Sequence, residues 1–207
     1  MAAATRTSRR TVWVAIRAMA LFTLLLGVAY PLVITGAGQL ALPAHANGSL
    51  LAAPTAPGGQ PVGSSLIGQQ FLTASGEPDP EFFQPRPSAA GDGYDAAASS
   101  GSNLGPENAD LVAAIGERKR AVAAFNGVPE SRVPADAVTA SSSGLDPHIS
   151  EAYAAIQIDR VAAARGLAQG DVAALVEEHT QGPDLGFLGE SRVNVLELNL
   201  ALEQLRG

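Results

Sequence analysis

Residues 12–34 read VWVAIRAMALFTLLLGVAYPLVI, and this apolar stretch decides how the rest of the chain is arranged. No residue from Ala18 to Leu42 is charged. A helix needs about 20 predominantly apolar residues to cross the hydrocarbon core of a bilayer. The stretch therefore predicts a single transmembrane helix over residues 12–35.

The charges around this helix predict its orientation. Its basic residues lie before it or in its first turns: Arg6, Arg9, Arg10 and Arg17. The polar stretch Gln39–Gln70 that follows has no lysine or arginine. Basic residues accumulate on the cytoplasmic side of membrane helices. We therefore expect residues 1–11 to form a cytoplasmic tail and the large C-terminal domain to be extracytoplasmic.

A cleaved signal peptide is the alternative interpretation of the N-terminal segment. Ala44-His45-Ala46 has the small-residue pattern of a cleavage site, and a secreted hydrolase would follow from it. The apolar core of a signal peptide is about 7–15 residues long, however, and the uncharged run here is about 25. The length favours a retained anchor.

Composition excludes some classes of protein. The formal net charge is -7, and a partner made of nucleic acid would need a basic surface. The chain has no cysteine, so disulfides, thiolate metal ligands and cysteine nucleophiles are absent.

The remaining sequence predicts a linker and one small domain of α+β class. The linker is predicted over residues 36–64, because Ala, Pro, Gly and Ser dominate the centre of this stretch without periodicity. The domain is predicted over residues 65–207, with short strands at 65–72 and 136–140 and a turn-rich stretch at 77–105. Four helices are predicted: from Pro106 to Asn126, from an N-cap at Asp146 to Arg165, from Asp171 to about His179, and from Asn194 onward.

The last of these helices has a competing interpretation. Leu196, Leu198, Leu200 and Leu202 alternate as in a strand. Asn194 and Glu197 form a capping box, which favours the helix.

Motifs that carry chemistry are sparse. There is no GxxxxGK[ST] loop, and His45, His148 and His179 lack the spacing of a zinc site, so no metal site is predicted. Ser143, Asp146 and His148 suggest a nucleophilic site, but serines and glycine before Asp-Pro are more typical of a tight loop, so no catalytic residue is assigned. Such a loop at a helix N-terminus would also suit an anion. Taken alone, Gln157, Asp159 and Arg160 predict a solvated helix face.

Six blocks of sequence, in order, carry a resemblance to a known family. They are FQPRPS (83–88), SSGSNLGP (99–106), VTASSSGLDPHIS (138–150), QxxRVAxARG (157–166), LGFLG (185–189) and VNVLxLNLAL (193–202). Together with the N-terminal helix, they resemble the C subunit of the Kdp potassium-transporting P-type ATPase over nearly the whole chain.

The resemblance implies a non-catalytic accessory subunit of a high-affinity potassium pump in the bacterial plasma membrane. Its implied partners are a channel-like potassium-conducting subunit, a P-type ATPase subunit, a small single-helix subunit and membrane lipid. The family is described as a catalytic chaperone that raises the ATP affinity of the ATPase subunit.

By this resemblance Gln157 is a proposed nucleotide contact, and the preceding motif loop contains Ser143, Gly144, Asp146, Pro147 and His148. The run Ser141-Ser142-Ser143 departs from the family, which more often has a glycine among these serines.

Topology and the implied role of Gln157 conflict, because an extracytoplasmic domain cannot touch cytoplasmic ATP. Two mechanisms remain open. In one, the domain assists ATP binding directly and the predicted topology is wrong. In the other, it clamps or gates the channel-like subunit from outside, and ATP, bound in the complex, is affected only allosterically. We favour the second on physical grounds. An anchored extracytoplasmic binding module unrelated to transport is the alternative function.

Overall fold

The computed structural model of the chain describes residues 2–53 and 57–205. They belong to two compact units, Met1–Ser49 and Leu50–Gly207.

Unit 1 is helical over most of its length. Helix α1 (Ala2–Leu24) continues through a π-helical turn (Leu25–Ala29) into α2 (Tyr30–Ala41), and the short α3 (Pro43–Ala46) follows. The part from Arg9 to Ala41, 33 residues, is long and apolar enough to cross a membrane. At 1.5 Å per residue it spans about 50 Å, against about 30 Å for the hydrocarbon core. The helix is therefore longer at both ends than the predicted span 12–35.

The π-helical turn lies where a proline interrupts the hydrogen-bond ladder. Pro31 has no N–H to donate. Directly before it, the N–H of Tyr30 donates to the carbonyl of Leu25, five residues back. Such wide turns occur singly within α-helices and absorb an irregularity of the ladder. The helix consequently continues through the proline.

Unit 2 is a small mixed domain of helices and short strands, which confirms the α+β class. Its helices are α4 (Ala109–Asn126), α5 (Glu151–Arg165), α6 (Gln169–Glu178) and α7 (Val195–Gln204). Its strands are β1 (Leu50–Ala52), β2 (Pro61–Ser64), β3 (His148–Ile149), β4 (Thr180–Gln181) and β5 (Arg192–Asn194).

The strands form two antiparallel sheets. β1 pairs with β2, with Leu50 opposite Ser64. The second sheet has the order β3-β5-β4, and in it His148 lies opposite Asn194. β5 is thus the central strand, and it leads directly into α7.

The hydrophobic core lies among α5, α6, α7 and β5, with Phe83 from the irregular stretch before α4. Its largest fully buried apolar side chains are Phe83, Val161, Val172, Val193, Val195, Leu196, Leu198 and Leu202. Val172, Leu175 and Val176 of α6 are buried, as their spacing predicts. The last segment is a helix, so the helical interpretation of the leucine-rich run is confirmed.

Local capping explains where the helices begin and end. Gly127 and Gly166 end α4 and α5 in the left-handed conformation that glycine adopts without strain. At the start of α7 the side chain of Asn194 accepts from the N–H of Glu197 at 3.2 Å. These three signals were all visible in the sequence.

The predicted N-cap at Asp146 is wrong. α5 begins at Glu151, and its N-cap is Ser150, whose hydroxyl accepts from the N–H of Tyr153 at 3.0 Å. Asp146 does not cap the helix because its carboxylate binds Arg86 and the N–H of His148, which starts β3.

Both predicted strands in unit 2 are also wrong. Residues 65–72 contain only isolated bridges at Ile67 and Leu72, and residues 135–137 form a 3-10 turn. β1 and β2 instead lie in the stretch predicted to be an irregular linker. There the chain approaches α7 closely, since a Cβ on Gly63 would lie 2.6 Å from Leu196 Cδ2.

Candidate functional site

The serine-rich motif loop is closed by its own hydroxyl groups. Ser141 Oγ accepts from the N–H of Gly144 at 2.9 Å, and Ser143 Oγ accepts from the N–H of Leu145 at 3.1 Å. Gly144 has φ +69°, and a Cβ there would lie 2.7 Å from the carbonyl oxygen of Ser100. Glycine is therefore required at this position by both conformation and space.

Two other motif blocks bind the outside of this loop. Ser88 Oγ donates to the carbonyl of Gly144 at 2.6 Å. The N–H of Ser100 and Oγ of Ser99 both donate to the carbonyl of Ser143, each at 3.0 Å. The blocks at 83–88, 99–106 and 138–150 therefore meet at one place.

Asp146 is the charged centre of the motif loop. One oxygen of its carboxylate lies 3.1 Å from Arg86 Nη1, and the other lies 3.2 Å from His148 Nδ1 and accepts the N–H of His148 at 3.0 Å. Burial alone would raise the pKa of Asp146, but the hydrogen bonds from His148 and the charge of Arg86 outweigh burial and hold the pKa below its ordinary value.

The structure brings Asp146 and His148 together but does not complete a nucleophilic triad. In the described part of the chain, Ser143 Oγ bonds with Leu145 and Ser141, and no hydrogen bond joins it to His148. Pro147 accepts the N–H of Val195 through its carbonyl at 3.0 Å, which ties the loop to the start of α7. Among residues 2–53 and 57–205, no group of three or more metal-ligating side chains could hold an ion.

Gln157 is fully buried, at 0% exposure, so the prediction of a solvated face is wrong for this residue. The N–H of Gln84 donates to Gln157 Oε1 at 2.7 Å, and Gln157 Nε2 donates to the carbonyl of Gln84 at 3.1 Å. A carboxamide has the same donor and acceptor as a peptide group, and here it pairs with the backbone as a neighbouring strand would. The prediction holds for Asp159, which is exposed.

Asn199 of α7 pairs in the same way with the backbone of Phe83, the residue before Gln84. The N–H of Phe83 donates to Asn199 Oδ1 at 2.9 Å, and Asn199 Nδ2 donates to the carbonyl of Phe83 at 3.0 Å. We call these two pairings, of Gln157 with Gln84 and Asn199 with Phe83, the amide latch. Sequence reasoning missed Asn199; its signal was an amide among the leucines of an otherwise apolar run.

Arg160 supports the latch from the next turn of α5. Its Nη2 donates to Gln157 Oε1 at 2.7 Å, Nη1 donates to the carbonyls of Pro80 and Phe82, and Nε donates to Asn126 Oδ1. The guanidinium carbon also lies 4.4 Å from the centre of the Phe125 ring. Burial lowers the pKa of Arg160 to about 10, so the side chain remains charged at neutral pH.

The fold and these motifs define an α+β protein with an N-terminal helix long and apolar enough to cross a membrane, and its motif side chains bind its own backbone. Comparison with known proteins identifies its family. The family described as KdpC, K+-transporting ATPase, c chain, matches residues 12–204. The chain therefore belongs to the KdpC family, the c chains of K+-transporting ATPases.

Individual relatives agree over most of their length. The chain is 58% identical over 177 residues to the potassium-transporting ATPase KdpC subunit of Kineococcus radiotolerans, covering 86% of this chain and 85% of that protein. It is 52% identical over 198 residues to the subunit of the same name from Mycobacterium tuberculosis, covering 95% of this chain and all of that protein. The Caulobacter vibrioides subunit is 53% identical over 189 residues.

Replacing Gln157 tests the latch. In Gln157→Ala the N–H and carbonyl of Gln84 lose their partners in a buried site, at about 1–3 kcal/mol for each group. We expect the free energy of unfolding of the full chain in detergent to fall by about 2–5 kcal/mol, and the amide of Gln84 to exchange hydrogen faster. Gln169→Ala, on the exposed surface of α6, is the matched control and should change neither. Wild-type exchange at Gln84 in Gln157→Ala would contradict the latch.

The lowered pKa of Asp146 predicts an acid-dependent loss of stability. Because the folded-state pKa lies below the ordinary value of 3.8, its contribution is fully present above about pH 4 and is lost as the pH falls through the folded-state pKa. Asp146→Asn should flatten the dependence of unfolding free energy on pH in this range and lower stability at neutral pH. The exposed control Asp92→Asn should keep the wild-type slope in this range. An equally steep loss in Asp146→Asn would refute the assignment.

Proposed function

We propose that this chain is a non-catalytic accessory subunit of a high-affinity, ATP-driven potassium importer in a bacterial plasma membrane. A P-type ATPase subunit would hydrolyse ATP, a channel-like subunit would conduct potassium, and a small single-helix subunit would complete the complex. The family and the names of the relatives support membership of such a pump. The observation that carries the non-catalytic role is that the motif side chains bind the chain's own backbone.

In this proposal α1 and α2 anchor the subunit, with residues 1–11 cytoplasmic and unit 2 extracytoplasmic. This orientation is supported by the arginines that precede the apolar segment and by the lack of lysine and arginine in residues 39–70 after it. Residues 12–35 would cross the bilayer, and the adjoining helical turns would extend into the headgroup layers on both sides.

An exposed apolar turn in unit 2 supports assembly with other proteins. Between β4 and β5, Asp184 and Leu188 pair through two backbone hydrogen bonds of 2.9 Å and close a tight turn. At its tip Leu185 is 85% exposed, Phe187 78% and Leu188 59%. Clustered exposed apolar side chains, rimmed here by Asp184 and Arg192, mark protein contact surfaces. We propose that the other pump subunits cover this turn.

The proposed effect on ATP is indirect. Gln157 has no exposed surface, and its carboxamide already holds Gln84 and Arg160. A chaperone role that raises the ATP affinity of the ATPase subunit would therefore act through the assembly, as a coupling free energy between two sites. In this proposal Gln157 maintains the shape of unit 2, and ATP binds to the ATPase subunit alone.

The absence of cysteine makes the topology directly testable. Ser75→Cys, in an exposed turn of unit 2, should react with a membrane-impermeant maleimide in intact cells, because unit 2 lies outside. Ala4→Cys should react only after the membrane is permeabilised, and its labelling at full chain mass also excludes cleavage at Ala46. Protection of Ser75→Cys in intact cells would overturn the proposed orientation and restore direct contact with ATP.

The two latch residues separate direct from indirect action on ATP. If both act by shaping unit 2, Gln157→Ala and Asn199→Ala should alter the apparent KM for ATP of the purified pump in the same direction and to a similar extent. Gln169→Ala should leave it unchanged. The content of this subunit in each complex is quantified alongside. A several-fold rise in KM with Gln157→Ala alone, at full subunit content, would show that Gln157 has a nucleotide role of its own.

A further inference from the structure

Unit 2 contains a cleft that the proposed role in the pump does not use. It lies between α4 and residues 84–88, has a volume of about 290 Å³, and is also lined by Tyr153 of α5. This volume is at the lower end of the range for small-molecule sites in proteins.

The lining of the cleft is apolar and carries positive charge. Its apolar part includes Leu72, Pro85, Pro87, Val122 and Phe125. Sixteen residues line it, and among them are two arginines and no carboxylate, although the whole chain has a formal charge of -7. The local charge is therefore opposite to that of the protein.

The two arginines differ in whether they already have a charged partner. Arg86 is paired with Asp146. Arg118 donates through Nη1 to the carbonyl of Val138 at 3.2 Å, and within the described residues its Nε and Nη2 have no hydrogen-bond acceptor. Arg118 thus has donors available to a group in the cleft.

Tyr153 adds a second unused donor. The residue is 3% exposed, and its hydroxyl has no hydrogen-bond partner in the parts of the chain that the structure describes. The hydroxyl oxygen is not among the fully buried unpaired atoms of the described residues, so it faces the cleft, where water or a ligand can accept its proton. Burial raises the pKa of Tyr153, so the phenol keeps its proton at neutral pH and can donate it to an acceptor.

We propose that this cleft binds a small organic anion with a flat apolar body. Its carboxylate accepts hydrogen bonds from the guanidinium of Arg118 and the hydroxyl of Tyr153. Its apolar body packs against Phe125, Val122 and the two prolines. Charge-assisted hydrogen bonds combined with an apolar wall give such a site preference for the anion over a neutral molecule of the same shape.

The test compares 2-naphthoate with its neutral isostere 2-naphthamide, using the full chain in lipid nanodiscs and empty nanodiscs as the blank. We expect saturable calorimetric binding of 2-naphthoate and about tenfold weaker binding of 2-naphthamide. Arg118→Gln should weaken 2-naphthoate binding at least about tenfold and abolish the preference for the anion. Tyr153→Phe, which removes one oxygen atom, should weaken it about fivefold.

Arg120→Gln is the matched control, since Arg120 is an exposed arginine of the same helix that does not line the cleft. It should bind 2-naphthoate as the wild type does. The proposal is overturned if the wild type shows no saturable binding beyond the empty nanodiscs. It is also overturned if Arg118→Gln or Tyr153→Phe, with thermal unfolding of unit 2 preserved, binds with wild-type affinity. Should Arg118→Gln be poorly folded, Tyr153→Phe and the naphthoate-to-naphthamide ratio of the wild type decide the matter.

Discussion

Unit 2 depends on two buried carboxamides that bind one irregular stretch of backbone at Phe83 and Gln84. Gln157 and Asn199 come from different helices, and they pair with the consecutive residues Gln84 and Phe83. The stretch before α4 has little regular structure of its own, so its buried N–H and carbonyl groups require partners from elsewhere. Side chains of α5 and α7 provide them and thereby fix the stretch to the core.

The remaining motif contacts extend outward from this point. Two residues after Gln84, Arg86 reaches Asp146, and two residues further on Ser88 reaches Gly144. The serine, aspartate, histidine and glutamine side chains of these motifs therefore form an internal hydrogen-bond network, and within the described residues no hydrogen bond joins Ser143 to His148. The same residue types that suggest a reaction site here join distant segments, which is why position in the fold decides their role.

The sequence predicted the parts of the fold that depend on local signals. Apolar periodicity and capping residues located α4 to α7, the helices described in unit 2, because caps such as Gly166 and Asn194 act within a few residues. β3 and β4 have two residues each, too few for an alternating pattern to be read. Asp146 and Ser150 are both residue types that favour the N-cap. Asp146 is occupied by Arg86, which is 60 positions away, and this contact cannot be read from the local sequence. Gln157 was predicted to be solvated because its partner is the backbone of Gln84, and a backbone partner 73 positions away produces no recognisable sequence pattern.

The latch also sets when unit 2 can fold. Its bonds join residues 73 and 116 positions apart, and the pairing of Phe83 with Asn199 cannot form until α7 has been made. Closing such long loops is slow, because the entropy of the chain is lost before the contacts form. In the proposed topology, with unit 2 extracytoplasmic, the latch closes only after α7, the most C-terminal helix described, has reached that side of the membrane. Folding would then be completed at the bilayer surface, close to the membrane proteins with which it is to assemble.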